Sequence, residues 1–391
     1  MDPWYRMSTY PREVGRPCLE LAGGRNAYDL PLDTMWMIPE RVGSGCLGLI
    51  LPCYHIHSMP NPRMQPGLTR PTCDGFRYAL GVLPQPGWCP IQGYTVTYQP
   101  GDSDGQDVYI LDLTVSHERL EGLISDLMAL LSHEVTAMFE IASRDAYRAL
   151  DVFLGTQPIA LSQFLAGWHK WSALILEDGM VGAGVCSEET LFEIFITQMK
   201  TVLVYVEPQM LPAVRQVLDR HDVVEVEETW PEPPSDEIDG GATFRSILES
   251  NHPMGGGLDE VLLSLENKWH LDLQIDPAAS QDERGRILGP TLWFVLAKVR
   301  HRHSGRLGEA AIWMTADCLD NAYELTETFF ETDQTNALIQ IQSADRMAFD
   351  ERPAQLVDLR LGNQQAEVHC IRIDQHPHQR ANECRGHQNA S

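Results

Sequence analysis

Lysine is scarce in this chain. Four of its 29 basic residues are lysine, and those 29 bases face 55 acids, for a formal net charge of −26. Neutralising phosphates needs clustered Lys and Arg, so this balance argues against a nucleic-acid binder or a protein of anionic membrane surfaces. Long apolar runs are missing as well. Stretches such as residues 46–53 fall far below the roughly 18 residues that span a bilayer. The opening Met1-Asp2-Pro3-Trp4-Tyr5-Arg6 lacks the basic flank and apolar core of a secretory signal. Nine cysteines, an odd number, are spread too thinly over 391 residues for the disulfide lattice of a small secreted protein. A cytoplasmic chain with reduced thiols is the expectation.

Familiar catalytic signatures are absent too. No G-x-S-x-G elbow exposes a strained serine. The triplets Ser116-His117-Glu118 and Ser132-His133-Glu134 are not followed by the second histidine that a helical zinc-protease motif requires, so helix capping by the serines explains them more simply. Gly179, Gly182 and Gly184 follow Asp178 and lead towards a strand. A dinucleotide loop leads into a helix, so these glycines read as a turn and as sites of close backbone approach.

The charge itself is uneven. Residues 1–105 hold nine acids and eight bases, residues 106–240 hold 24 and seven, and residues 241–391 hold 22 and 14. The middle block therefore carries −17 of the −26.

Fourteen of the 25 prolines and five of the nine cysteines lie in residues 1–105, which excludes long helices there and predicts an irregular β segment rich in Pro, Gly and Cys. Regular structure is expected from residue 106. A strand at 108–115, a helix carrying Leu120, Leu123, Ile124, Leu127 and Leu131 at helical spacing, and a strand at 135–141 open an acidic domain. It continues with a helix at 161–171 and strands at 173–177, 180–186, 191–197 and 201–206. Asp178-Gly179 is read there as a hairpin turn. A helix at 210–220 and a strand at 223–228, alternating valine with acid, complete it. Residues 230–241, acidic and proline-rich, read as a linker. A second domain of similar layout follows over 242–375, with a helix at 258–269, strands at 271–275, 291–299, 310–315 and 337–342, and a helix at 318–330. Residues 376–391 read as a disordered tail. The fold class is thus α+β, two domains of antiparallel meander plus helices.

Three groups of residues bear on function. Cys53, His55 and His57 alternate along an extended segment, so one thiolate and two imidazoles would share a face, a donor set suited to zinc, with Cys73, Asp74 or Cys89 as a fourth ligand. Flanking prolines make an ordinary loop the simpler reading, and no cofactor is expected. Arg300, His301, Arg302, His303 and Arg306 form a dense basic cluster on a predicted hairpin tip, either solvated or gripping acid. Trp230 stands among Glu225, Glu227, Glu228 and Glu232, either as an anchor for a basic partner or as a tether of the linker to its own domain. The resulting expectation is a non-catalytic regulatory protein whose acidic α+β domain engages a basic protein partner. A metal-dependent hydrolase built on the N-terminal Cys and His residues is the alternative.

Overall fold

The computed structural model describes residues 64–101, 107–234, 238–249, 257–282, 284–357, 359 and 366–375. The chain is α+β, with five α-helices among the described residues and antiparallel, meander-like sheets. None of these helices is long and apolar enough to cross a membrane. Contacts divide the described residues into two units, one comprising those up to 139 together with 155–271, the other 140–154 together with 272–375.

The first unit is built on a sheet whose strands run in the order Glu134–Ala142, Val181–Ser187, Phe192–Ile196, Val202–Val206, Val108–Thr114 and Gly93–Gln99. The last five pair antiparallel in sequence. Val181–Ser187 is buried at every position. Its neighbour tolerates this because Gly184 leaves room where a Cβ would meet Phe195 and Met138 within 3 Å.

The helix His117–Met128 begins at Ser116, as its sequence predicts, and buries Leu120, Leu123, Ile124 and Leu127. The Ser116 hydroxyl does not cap it. That oxygen accepts from the Arg77 amide at 2.9 Å and donates to Glu118 at 2.7 Å. The helix Leu161–Ile175 packs against Gly257–Trp269. Gly167 makes this possible, since a Cβ there would lie 2.4 Å from the Trp269 indole nitrogen. Trp269 stacks on Phe164 and donates to the Phe164 carbonyl, so its one polar atom is satisfied in the core.

Three local expectations change. The expected strand at 173–177 is the last turn of the Leu161–Ile175 helix and its exit, so Asp178-Gly179 joins a helix to a strand and closes no hairpin. Residues 223–228 form no ladder. They touch the sheet at one bridge, where Tyr94 donates to Val224 O and Val226 donates to Tyr94 O, both at 2.9 Å. The expectation of reduced thiols fails for one pair, because Cys73 and Cys89 form a disulfide with Cα atoms 5.5 Å apart.

The second unit contains a four-stranded antiparallel sheet in the order Asn336–Met347, Thr291–His301, Leu307–Ala316, Glu367–Gln375, with the helix Leu319–Thr332 packed on it. Trp293, Val295, Ala297 and Val299 share one face of their strand and pack in the core with Ala310, Ile312 and Met314 opposite them, while Leu292, Phe294 and Leu296 on the other face are buried as well. The strand Glu367–Gln375 and the strand Leu150–Gly155 have no counterpart in the expected element list.

A buried ion cluster ties the segment after residue 140 to this sheet. The Asp145 side chain is fully enclosed. Its Oδ2 receives the Arg346 Nε at 2.7 Å, the Arg148 Nη1 at 3.1 Å and the Arg346 amide at 3.2 Å. Asp345 beside it is raised to about 6 by burial, against the opposing pull of Arg144.

Candidate functional site

The strongest concentration of buried charge in the first unit begins where the Leu161–Ile175 helix ends, at Glu177 and Asp178. Arg70 grips the Glu177 carboxylate with both terminal nitrogens, the His117 Nε2 lies 2.9 Å from it, and the Leu80 amide donates to it at 2.8 Å. Burial pushes this carboxyl up, but the hydrogen bonds from His117, Arg70 and Leu80 outweigh that and hold it at about 2. A carboxyl lowered on folding adds stability that is complete above its unfolded value and is lost as pH falls through its folded value. The shift from 4.5 to about 2 corresponds to about 3 kcal/mol. Glu177→Gln is therefore expected to remove stability of that order at neutral pH and to flatten the acid limb between pH 4.5 and 2, as read from urea midpoints across that range. An unchanged acid limb would refute the assignment.

Asp178 is completely enclosed. One oxygen accepts the Met180 amide at 2.8 Å, and the other accepts the Ser246 hydroxyl at 2.8 Å and the Ile247 amide at 2.9 Å. Burial raises its pKa against these hydrogen bonds and the nearby Lys200. Gly179 follows because the backbone of Gly81 passes there, and a Cβ would lie 2.2 Å from the Gly81 carbonyl oxygen. Gly179, expected as the glycine of a hairpin turn, instead lets the backbone of Gly81 approach closely.

Lys200 sits in the loop between Phe192–Ile196 and Val202–Val206 with φ of 65°, a left-handed conformation that glycine normally supplies. Its ammonium is buried and donates to the Val181 carbonyl at 2.7 Å. Desolvation lowers its pKa to about 7, with Asp178 and Glu177 pulling the other way.

Above this cluster lies a small recess lined by Phe76, Tyr78, Thr114, His117, Met199 and Trp230, among others. Two buried polar atoms have no protein partner in it, the Thr114 Oγ1 and the His117 Nδ1. Trp230 closes one side. Its indole N–H donates to the Thr201 hydroxyl at 3.0 Å, and its ring lies 4.8 Å from that of Trp88. Next to it, the Thr229 side chain bonds to Asp112, whose carboxyl is raised to about 6 by burial. The expected linker thus begins as a segment tied to the sheet.

The residues singled out from the sequence fall into separate places. Cys53, His55 and His57 lie outside the described residues. Of their suggested fourth ligands, Cys73, Asp74 and Cys89 are brought together. Glu225, Glu227, Glu228 and Glu232 are exposed along the chain that leads into and past Trp230. Glu225 faces Arg215 at 3.4 Å. In the second unit Arg300 is exposed, and Arg302 turns back onto the end of the Leu319–Thr332 helix, donating to the carbonyls of Phe330, Asp333 and Asn336. That arginine satisfies helix-terminal acceptors of its own chain, a role that neither expected reading of the basic cluster included.

The sequence does not mark Glu177, Asp178 or Lys200 as site residues, and Asp178 is expected only as part of a hairpin turn. Nothing in their spacing marks them, because they meet only when the 197–201 loop folds beside the 176–180 turn. No family model, curated protein or solved structure matches the chain.

Proposed function

We propose that this chain is a non-catalytic binding protein whose acidic unit receives a basic, extended protein segment. The observation that carries the reading is the placement of Glu225, Glu227, Glu228 and Glu232, all exposed, on the segment that touches the terminal strand Gly93–Gln99 at Tyr94 and then runs back past Ile91 and Trp88. Both backbone bonds of Tyr94 to Val224 and Val226 lie on the outer side of that strand. By the two-residue alternation of a strand, the N–H and C=O groups of Val96 and Tyr98 face the same way. Among the described residues the sheet ends here. An incoming strand would extend the ladder past Tyr94, while the glutamates attract its lysines and arginines and speed its encounter. Tyr98 and Val224 add exposed apolar surface beside the acids. The cluster around Asp178 supports the same reading, since its carboxylates and ammonium are engaged by backbone and side-chain partners and hold loops in place.

Fluorescence anisotropy with a labelled peptide alternating lysine and valine tests the proposal. The wild type is expected to bind with an affinity that falls as salt rises. Reversing Glu225, Glu227 and Glu228 to lysine should weaken binding by about tenfold or more, and Val96→Pro, which removes one outward donor, should weaken it independently of charge. Equal binding by the charge-reversed protein, or an affinity indifferent to salt, would dismiss the reading.

A further inference from the structure

The short hairpin that leads into the aromatic cluster has a corner whose chemistry the aromatic packing does not use. Thr72–Cys73 and Phe76–Arg77 pair through Asp74 and Gly75, with φ of 46° and 84°, the two-residue turn that favours aspartate and glycine. This turn holds the Asp74 carboxylate in the open, with Oδ2 3.7 Å from Cys89 Sγ. The ligand atoms of Cys73, Asp74 and Cys89 all lie within 4.8 Å of one another. A disulfide has no need of a carboxylate beside it. Two free thiols are worse placed, because a nearby negative charge opposes thiolate formation. A dication among the three reverses that sign, since it favours every one of the anions at once.

We propose that, when reduced, Cys73, Cys89 and Asp74 form a binding site for a thiophilic divalent cation, zinc above all. Two thiolates and a carboxylate supply three of the four positions of a tetrahedral zinc, leaving the fourth to water or to a further ligand. The exchange balances simply. A dithiol passes two electrons to the Cys73–Cys89 bond and becomes a disulfide itself, leaving two thiols. The cation then displaces one proton from each sulfur as two metal–sulfur bonds form. Trp88 precedes Cys89, and Phe76 and Tyr78 follow Cys73, so a bond through either the disulfide or the metal closes the loop that carries the rings around Trp230. The metal-free dithiol leaves that loop open. This site stands apart from the basic-peptide proposal, and neither depends on the other.

Cobalt titration of the full chain decides the matter, after reduction with a dithiol, removal of metal with a chelator and anaerobic desalting. One equivalent of Co²⁺ is expected to produce a thiolate-to-cobalt charge-transfer band that Zn²⁺ abolishes. Cys73→Ser with Cys89→Ser should eliminate the band. Asp74→Asn, which suits the positive-φ turn, should keep the band but weaken Co²⁺ binding by about tenfold. The proposal is overturned by any of four results: reduced wild type of native near-ultraviolet dichroism that gives no band, a band that persists in the double serine variant, equal affinity in Asp74→Asn, or alkylation showing that the dithiol never opens the bond.

Discussion

Asp178→Ala is expected to destabilise the protein by about 3–5 kcal/mol, the cost of leaving buried partners of a removed charge unpaired. The variant strands the Met180 and Ile247 amides and the Ser246 hydroxyl, all within 3 Å of the carboxylate in the wild type. It also removes an acid that helps the buried Lys200 stay charged. A second substitution separates these effects. Lys200 has a pKa lowered from 10.5 to about 7, so between those values the unfolded chain binds more protons than the folded one. Stability therefore rises with pH across that window. Lys200→Met should abolish the rise and should make Asp178→Ala less costly when the two are combined, because no buried ammonium is left without its acid. Urea denaturation of the four proteins of this cycle between pH 6 and 10.5 is the measurement. Additive effects and an unchanged pH slope would contradict the coupling.

Asp145→Ala should be comparably damaging to the second unit, again by about 3–5 kcal/mol. The enclosed carboxylate accepts from Arg346, Arg148 and the Tyr147 amide. Without it the Arg346 guanidinium, itself buried and also donating to the Gln281 carbonyl at 2.9 Å, keeps its charge with too few acceptors. Arg346→Met is the informative companion. Its thioether fills similar volume beside Trp293 and Tyr147, the rings the guanidinium now faces, but it leaves Asp145 with Arg148. A milder loss than that of Asp145→Ala is expected, since one cationic partner remains. Urea denaturation followed by circular dichroism compares the three proteins. Equal stability of Asp145→Ala and wild type would show that the cluster contributes nothing beyond apolar packing.

Much of this architecture was legible in the residues. The spacing of Leu120, Leu123, Ile124 and Leu127 predicts a helix, and all four are buried in one. The apolar run at 291–299 reads as a strand, and the structure has one there, buried on both faces from Thr291 to Ala297. The misread stretch at 173–177 has a plain cause. Ala173, Leu174, Ile175 and Leu176 make an apolar run too short to distinguish the end of a buried helix from a strand, and the Asp-Gly after it mimics a hairpin turn. Residues 223–228 mislead for the opposite reason. Their alternation is real, but Val224 is exposed and Val223 buried, so the valines serve the packing of a loop.

The candidate site was almost illegible. Trp230 stands out because an indole among acids and prolines is unusual, and its contacts with Thr201 and Trp88 match one of the two roles its surroundings allow. Lys200 and Asp178 carry no such flag, since a lysine in a turn and an aspartate before a glycine are ordinary surface residues.

What the sequence determined by itself is the α+β class, the bounds of most helices and strands, and the concentration of negative charge in residues 106–240. Each of these depends on near neighbours along the chain or on a simple sum of charges. Only the tertiary structure decided that Asp178 meets Lys200 and Ser246, that Arg346 reaches across 201 positions to Asp145, and that Cys73 and Cys89 share a corner with Asp74. Burial is what turns these groups from soluble surface into structural centres. It strips their water and makes every remaining partner count, and burial belongs to the assembled fold.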